Sequence, residues 1–177
     1  MAYDACRLEQ RTGSGGANRR QEDSMNIVVA NDHGGVELKK QIVTWLETQG
    51  HRVKNLGMDE ETRVDYPDMA AEACAEYKKG NYDFGILLCG TGIGISMAAN
   101  KINGIRCALV HDRFTAEMAR AHNDANFVAL GGRVEYGIPV TEILSAFMQA
   151  TFEGGRHQQR INKIHDLEMG LGRRSCC

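Results

Sequence analysis

Residues 84–94 read FGILLCGTGIG: six apolar residues closing on Cys89, then a loop in which glycine takes every second place, Gly90, Gly92 and Gly94. A continuous apolar run without alternation marks a strand covered on both faces, as in a parallel sheet between two helical layers. The loop leads into SMAANK, residues 96–101, which reads as helix. The unit is therefore strand, tight loop, helix, and it recurs in both directions along the chain.

Upstream, NIVVAN at 26–31 runs into the polar DHGG, and Leu38, Ile42 and Leu46 then follow at i, i+4 and i+8 with Trp45 beside them. That spacing is one face of a helix, which Gly50 ends. Residues 52–56 form a weaker strand, and Pro67 takes a first-turn position before DMAAEACAEYKK. Downstream, apolar runs at 105–110 and 127–130 flank DRFTAEMARAH, read as helix. Val140, Ile143, Leu144, Phe147, Met148 and Thr151 form a helical stripe after Pro139, and a final basic helix covers residues 156–168. Strands that alternate with helices require right-handed crossovers between parallel neighbours. The expected fold is α/β, a single-domain, three-layer Rossmann-like sandwich around a five-stranded parallel sheet. Ligands of such sheets sit outside the carboxyl ends of the strands. The polar clusters Asp32–His33, 89–94, His111–Asp112 and 131–133 all fall just after apolar runs.

Composition narrows the function. The 177 residues are 42% hydrophobic and 25% charged, and 21 basic against 23 acidic residues leave a net charge of -2. No global field holds a nucleic acid or an anionic membrane, so any anion site is local. No apolar run approaches the ~20 residues of a membrane helix. Residues 1–24 carry Arg7, Arg11, Arg19 and Arg20 but no apolar core of a secretory signal. The stretch GSGGANRRQEDS reads as a flexible linker or expression remnant ahead of a start at Met25, which sets the expected domain at 25–170 with a short tail at 171–177. Six cysteines without a CxxC spacing fit a reducing, cytoplasmic compartment. The six histidines are scattered singly, so neither a metal nor a cofactor is expected.

Each polar cluster allows more than one chemistry. Backbone N–H groups of the Gly90–Gly94 loop, at the start of a helix, suit an oxyanion or phosphate. A dinucleotide fingerprint would need glycine where Ile95 stands, although Asp112, about 20 residues on, keeps that reading open. A P-loop would need a Gly-Lys-Ser/Thr sequence that is absent. A turn required only for packing is the plain alternative. Cys89 precedes these donors and is a candidate base or nucleophile, or else a small buried hydrophobe, as Cys74 and Cys107 are expected to be. Asp32 and His33 are either site residues at the sheet's carboxyl end or a helix cap and a surface histidine. His122 and Asn123 end a helix, where an imidazolium is favoured and where such residues also merely terminate helices. Arg156 and Arg160, one turn apart with His157 beside them, can grip a dianion or form a solvated face.

Six ordered motifs carry a resemblance: NDHGG, DYPD at Asp65–Asp68, CGTGIGISMAANK, HNDAN from His122, GGR ending at Arg133, and EGGRHQQR from Glu153 to Arg160. Together they resemble the ribose-5-phosphate and galactose-6-phosphate isomerase family, most closely its ribose-5-phosphate isomerase B branch. The resemblance implies metal-free aldose–ketose isomerisation, by ring opening and then a cis-enediolate. It implies Cys89 as the base between C2 and C1, Thr91 assisting, and N–H groups of Gly90, Gly92 and Gly94 on the enediolate oxygens. It also implies His122 as the ring-opening acid opposite Asp32, Asp65 and Asn123 on the sugar, and His33, Arg133, Arg156, His157 and Arg160 around the phosphate. Some relatives place a glutamate base elsewhere in the loop, so Cys89 rests on CGTG as written. The galactose-6-phosphate branch divides these residues between unlike subunits, whereas this chain keeps all of them. Homodimers or dimers of dimers are implied, the His122 segment and basic helix of one copy serving Cys89 of the next. The other readings are an allose- or galactose-6-phosphate isomerase and, from a different class, a phosphate- or nucleotide-binding module without catalysis.

Overall fold

In the computed structural model, which describes residues 24–60 and 62–171, each of the five expected strands forms. The elements are β1 (Asn26–Asn31), α1 (Val36–Thr48), β2 (Arg52–Asn55), α2 (Tyr66–Tyr77), β3 (Phe84–Cys89), α3 (Ile93–Ala99), β4 (Cys107–Leu109), α4 (Arg113–Ala121), β5 (Phe127–Gly131), α5 (Val140–Gln149) and α6 (Arg156–Glu168). The strands pair in parallel in the order β2-β1-β3-β5-β4. The α/β three-layer sandwich with a five-stranded parallel sheet is thus the fold. The expected boundaries at 1–24 and 171–177 fall almost wholly outside the described residues, apart from Ser24, which donates to the Gly50 carbonyl at 2.9 Å, and Leu171.

Residue chemistry explains the order. All six residues of β3 are buried, as its unbroken apolar run requires at the centre of the sheet. The edge strand β2 carries Arg52 and Lys54, which is why it reads weakly. Alternate residues of the strands feed two cores. Ile27, Val29, Ile86, Leu88 and Val128 pack with Ile42 and Leu46 of α1, Ala116 of α4 and Phe147 of α5. Val28, Ala30, Leu87, Cys89 and Ala129 pack with Ala70 and Cys74 of α2 and Ile95 of α3. The connections leaving β1 and β3 run to opposite sides, so a crevice opens between their carboxyl ends, the ligand position of doubly wound sheets.

The 105–110 strand is shorter than its apolar run. On its outer side the Asn100 side-chain amide donates to the Cys107 carbonyl at 2.8 Å and accepts from the Cys107 N–H at 2.9 Å. Another feature was invisible in sequence. Lys39, on the buried face of α1, is 0% exposed and reaches Asp59 at 2.7 Å. That contact, with Asn31 donating to the Met58 carbonyl at 3.0 Å, ties the long β2–α2 connection to the sheet. Among the described residues no helix is long and apolar enough to cross a membrane.

Candidate active site

Three loops meet at the carboxyl edge around the β1–β3 crevice. A Cβ on Gly34 would lie 2.7 Å from the Gly90 amide nitrogen, so the DHGG and GTG turns touch through bare backbone. The third loop joins them through Gly132 N–H to the Cys89 carbonyl at 2.8 Å and Arg133 N–H to the Gly90 carbonyl at 3.0 Å. Gly92 caps α3 at φ +77°, the left-handed region, and a Cβ there would stand 2.6 Å from a Leu109 methyl and 2.9 Å from the Leu130 carbonyl carbon. Space and conformation both select glycine.

Side chains expected at the site stand on this frame. Cys89, 4% exposed, ends β3 and its Sγ accepts the Gly92 N–H at 3.1 Å. Asp32, 6% exposed, accepts the Gly34 N–H at 2.7 Å, which fixes its carboxylate at the mouth of the crevice. The Arg133 side chain lies over Gly90, Thr91 is exposed at the rim, and Tyr66 lays its ring against Gly94. His33 reaches the Val64 carbonyl at 3.3 Å through Nδ1, and exposed Asp65 begins α2 beside Tyr66. The other described thiols lack this setting: burial pushes Cys74 up to about 11 and Cys107 still further up. Sequence reasoning missed Tyr66; its signal was its place next to Asp65 in the DYPD motif.

The remaining residues collect elsewhere. Helix α4 runs antiparallel to the strands, so its C-cap, His122, returns to the amino edge of the sheet. There Arg106, just before β4, donates through Nε to the carbonyls of Asn123 and Asp124 at 3.1 and 3.0 Å. The His122 ring stacks on His157, with centroids 4.1 Å apart and planes 10° apart. His157 is 4% exposed and accepts from Arg156 Nε at 3.3 Å. Its imidazole is held below the usual histidine range, first by burial and then by the charges of His122 and Arg156. Arg156 and Arg160 are exposed on α6. Glu153, to which sequence reasoning gave no role, places Oε2 3.6 Å from His122 Nε2 and 3.4 Å from His157 Nε2.

These three side chains offer donor atoms within 4.8 Å of one another, yet the stacked rings aim their in-plane lone pairs side by side rather than at one point. An ion about 2.0–2.1 Å from both nitrogens would lie far out of both ring planes. The group suits a carboxylate–imidazole charge contact, not a tetrahedral metal.

The sequence-predicted residues therefore form two groups. Asp32, His33, Asp65, Cys89, Gly90, Thr91, Gly92, Gly94 and Arg133 surround the crevice, while His122, Asn123, Arg156, His157 and Arg160 lie at the opposite edge. Cys89 pairs with Gly131, and four residues of β5 run from there to Phe127, a span of about 13 Å. Within one chain the groups do not meet. A cavity of about 630 Å³ between α3, β4 and α6 includes Asn123 but no other member of either group.

The model of the family described as Ribose/Galactose Isomerase matches residues 27–164. The chain belongs to the ribose/galactose isomerase family. Among relatives, the ribose-5-phosphate isomerase B of Escherichia coli is 43% identical over 138 residues, 77% of this chain and 92% of that protein. The solved ribose-5-phosphate isomerase B of Clostridium thermocellum superposes with a TM-score of 0.80 at 42% identity, covering 84% of this chain and all of that one. The Mycoplasma genitalium ribose-5-phosphate isomerase B, solved with bound ribulose 5-phosphate, gives a TM-score of 0.76 at 43% identity over 81% of this chain and 96% of that one. The GTG loop, the HND turn and the EGGRH stretch of this family member all lie in the matched region.

Proposed function

We propose that this chain interconverts D-ribose 5-phosphate and D-ribulose 5-phosphate. The observation that carries the reading is Cys89: a thiol at the end of the central strand, in the crevice, with a backbone N–H on its sulfur and the Asp32 carboxylate on the adjoining loop. The relatives named above support it.

The furanose must open first. A proton leaves the anomeric hydroxyl toward Asp32, the C1–O4 bond breaks, and O4 takes a proton from His122, which leaves the aldehyde. Cys89 then removes the C2 proton and the electron pair moves onto O1; the O2 proton passes to O1, and the proton held by Cys89 returns at C1 as O2 becomes the ketone. The enediolate carries the developing charge, and preorganised backbone donors are the usual source of its stabilisation. Gly92 N–H already serves Sγ, so this role falls to the amides of Gly90 and Gly94, with Thr91 assisting at the rim. Asp65 and Asn123 hold the sugar hydroxyls. His33, Arg133, Arg156 and Arg160 hold the phosphate as charge-assisted donors, and His157 keeps Arg156 in place.

Because His122 and Cys89 of one chain lie at opposite sheet edges, the complete site draws His122, Asn123, Arg156, His157 and Arg160 from a second copy in a homodimer or dimer of dimers. Exposed Ile164 and Leu167 on α6 fit such an association. The working domain is 25–170, and free Cys74, Cys89 and Cys107 fit the cytoplasm. The test is turnover of ribose 5-phosphate in EDTA by the wild type and Cys89→Ala, with allose and galactose 6-phosphates alongside. Pentose turnover lost in the variant supports the reading, whereas preference for a six-carbon phosphate, or ligand binding without turnover, replaces it.

A further inference from the structure

Glu153 lies outside every role assigned above, yet its position is fixed with care. Its backbone N–H donates to the Ala121 carbonyl at 3.0 Å, which pins the α5–α6 connection to the end of α4. Its carboxylate then faces the Nε2 atoms of both His122 and His157. His157, accepting from Arg156, presents an unprotonated Nε2, so the one ring able to donate to Glu153 from Nε2 is that of His122. The His157 ring stacks flat against one face of His122.

We infer that Glu153 is a positioning residue for ring opening: its carboxylate, 3.6 Å from His122 Nε2, holds the proton on that nitrogen by its charge and turns Nδ1 outward to the sugar, while His157 sets the plane of the ring. The inference rests on the reading that His122 acts in ring opening. A carboxylate that fixes the tautomer and orientation of a working imidazole is a recurrent device. The groups in contact with His122 are Glu153 from the connection and His157 from α6, and Arg156 and Arg160 of α6 act on His157; Arg120, on α4 itself, is occupied by Asp124 and the Ala125 carbonyl.

Two assays separate this role from a structural one. Conversion of ribose 5-phosphate requires ring opening. Exchange of the C1 proton of ribulose 5-phosphate with deuterated water does not, because its phosphorylated O5 prevents closure to a five-membered ring. Glu153→Gln in the whole chain keeps the size of the side chain but removes the charge. The variant is expected to lose roughly 10- to 100-fold in kcat on ribose 5-phosphate, part of the 10²–10⁴ that a general acid contributes. Its KM and its C1 exchange rate, followed by NMR, are expected to stay within about twofold of the wild type. Undiminished kcat, or equal losses in the two assays, overturns the inference. Undiminished turnover of ribose 5-phosphate by His122→Ala overturns the underlying reading instead.

Discussion

Mixing two inactive variants tests the shared site with a number. On the proposed reading Cys89→Ala removes the base and His122→Ala the ring-opening acid, so that a homodimer of either variant would carry one defect in every site. Free exchange at equal concentrations makes about half of all dimers hybrids, and each hybrid assembles one site with neither defect and one with both. Recovered kcat per chain is therefore about one quarter of wild type. The separation behind this figure is the about 13 Å of β5 between the Cys89–Gly131 pair and the edge that carries His122, a gap that no rotamer of either side chain spans. The assay is conversion of ribose 5-phosphate after co-incubation under mild dissociating conditions, with each variant alone as the baseline. Activity no higher than the sum of the two baselines, in mixtures shown by native mass spectrometry to contain hybrids, refutes the reasoning, because a site built within one chain is never repaired by mixing.

Asp59→Ala strands the Lys39 ammonium in an otherwise apolar setting and should cost about 2 kcal/mol, discounted from the roughly 3–5 of a fully buried pair because the Asp59 side chain is 73% exposed. Lys39→Met should cost less than Asp59→Ala in urea unfolding; the reverse order would refute the burial argument. The hydrogen bond from Lys39, then its charge, holds the Asp59 carboxyl below the usual carboxylate range. This stabilisation is present above the unfolded value of about 3.9 and lost as pH falls through the lower folded value, so the gap between wild type and Asp59→Ala should close in acid melts. Gly92→Ala should destabilise far more than Gly50→Ala, although φ is +77° and +88°, because nothing lies within 4 Å of a Cβ on Gly50; equal melting temperatures would count against the close approach. Iodoacetamide at pH 8 should leave Cys74 and Cys107 unmodified in the native protein, while ribulose 5-phosphate slows labelling of Cys89, read by peptide mass spectrometry.

All the strands but the charged edge strand β2 were legible as apolar runs of strand length, and α1 and α5 because their apolar residues recur at helical spacing. The crevice residues were legible for a related reason: sheets of this kind present whatever follows a strand, so Asp32, Cys89 and Arg133 could be placed from position alone. The second group was harder. His122 ends a helix whose direction, and hence whose sheet edge, follows from strand order, and the inward return of β5 between β3 and β4 leaves no mark on any single segment. Lys39 and Asp59 are twenty residues apart and look like ordinary surface charges, since the burial of one end is set by the packing of α1 rather than by local pattern. Glu153 was hidden similarly, inside a quoted motif whose arginines and histidine drew the reading.

The Asn100 side chain, paired with both backbone groups of Cys107, bears on how the protein stays dispersed. An outer strand with open N–H and C=O groups is a template on which another chain can extend the sheet, the first step toward aggregation. On β4 the asparagine amide occupies the place of such a strand, and on β2 the exposed Arg52 and Lys54 guard the other margin. Any contact between copies is thereby left to helices and loops, where side chains choose the partner, rather than to a sheet continued across the boundary.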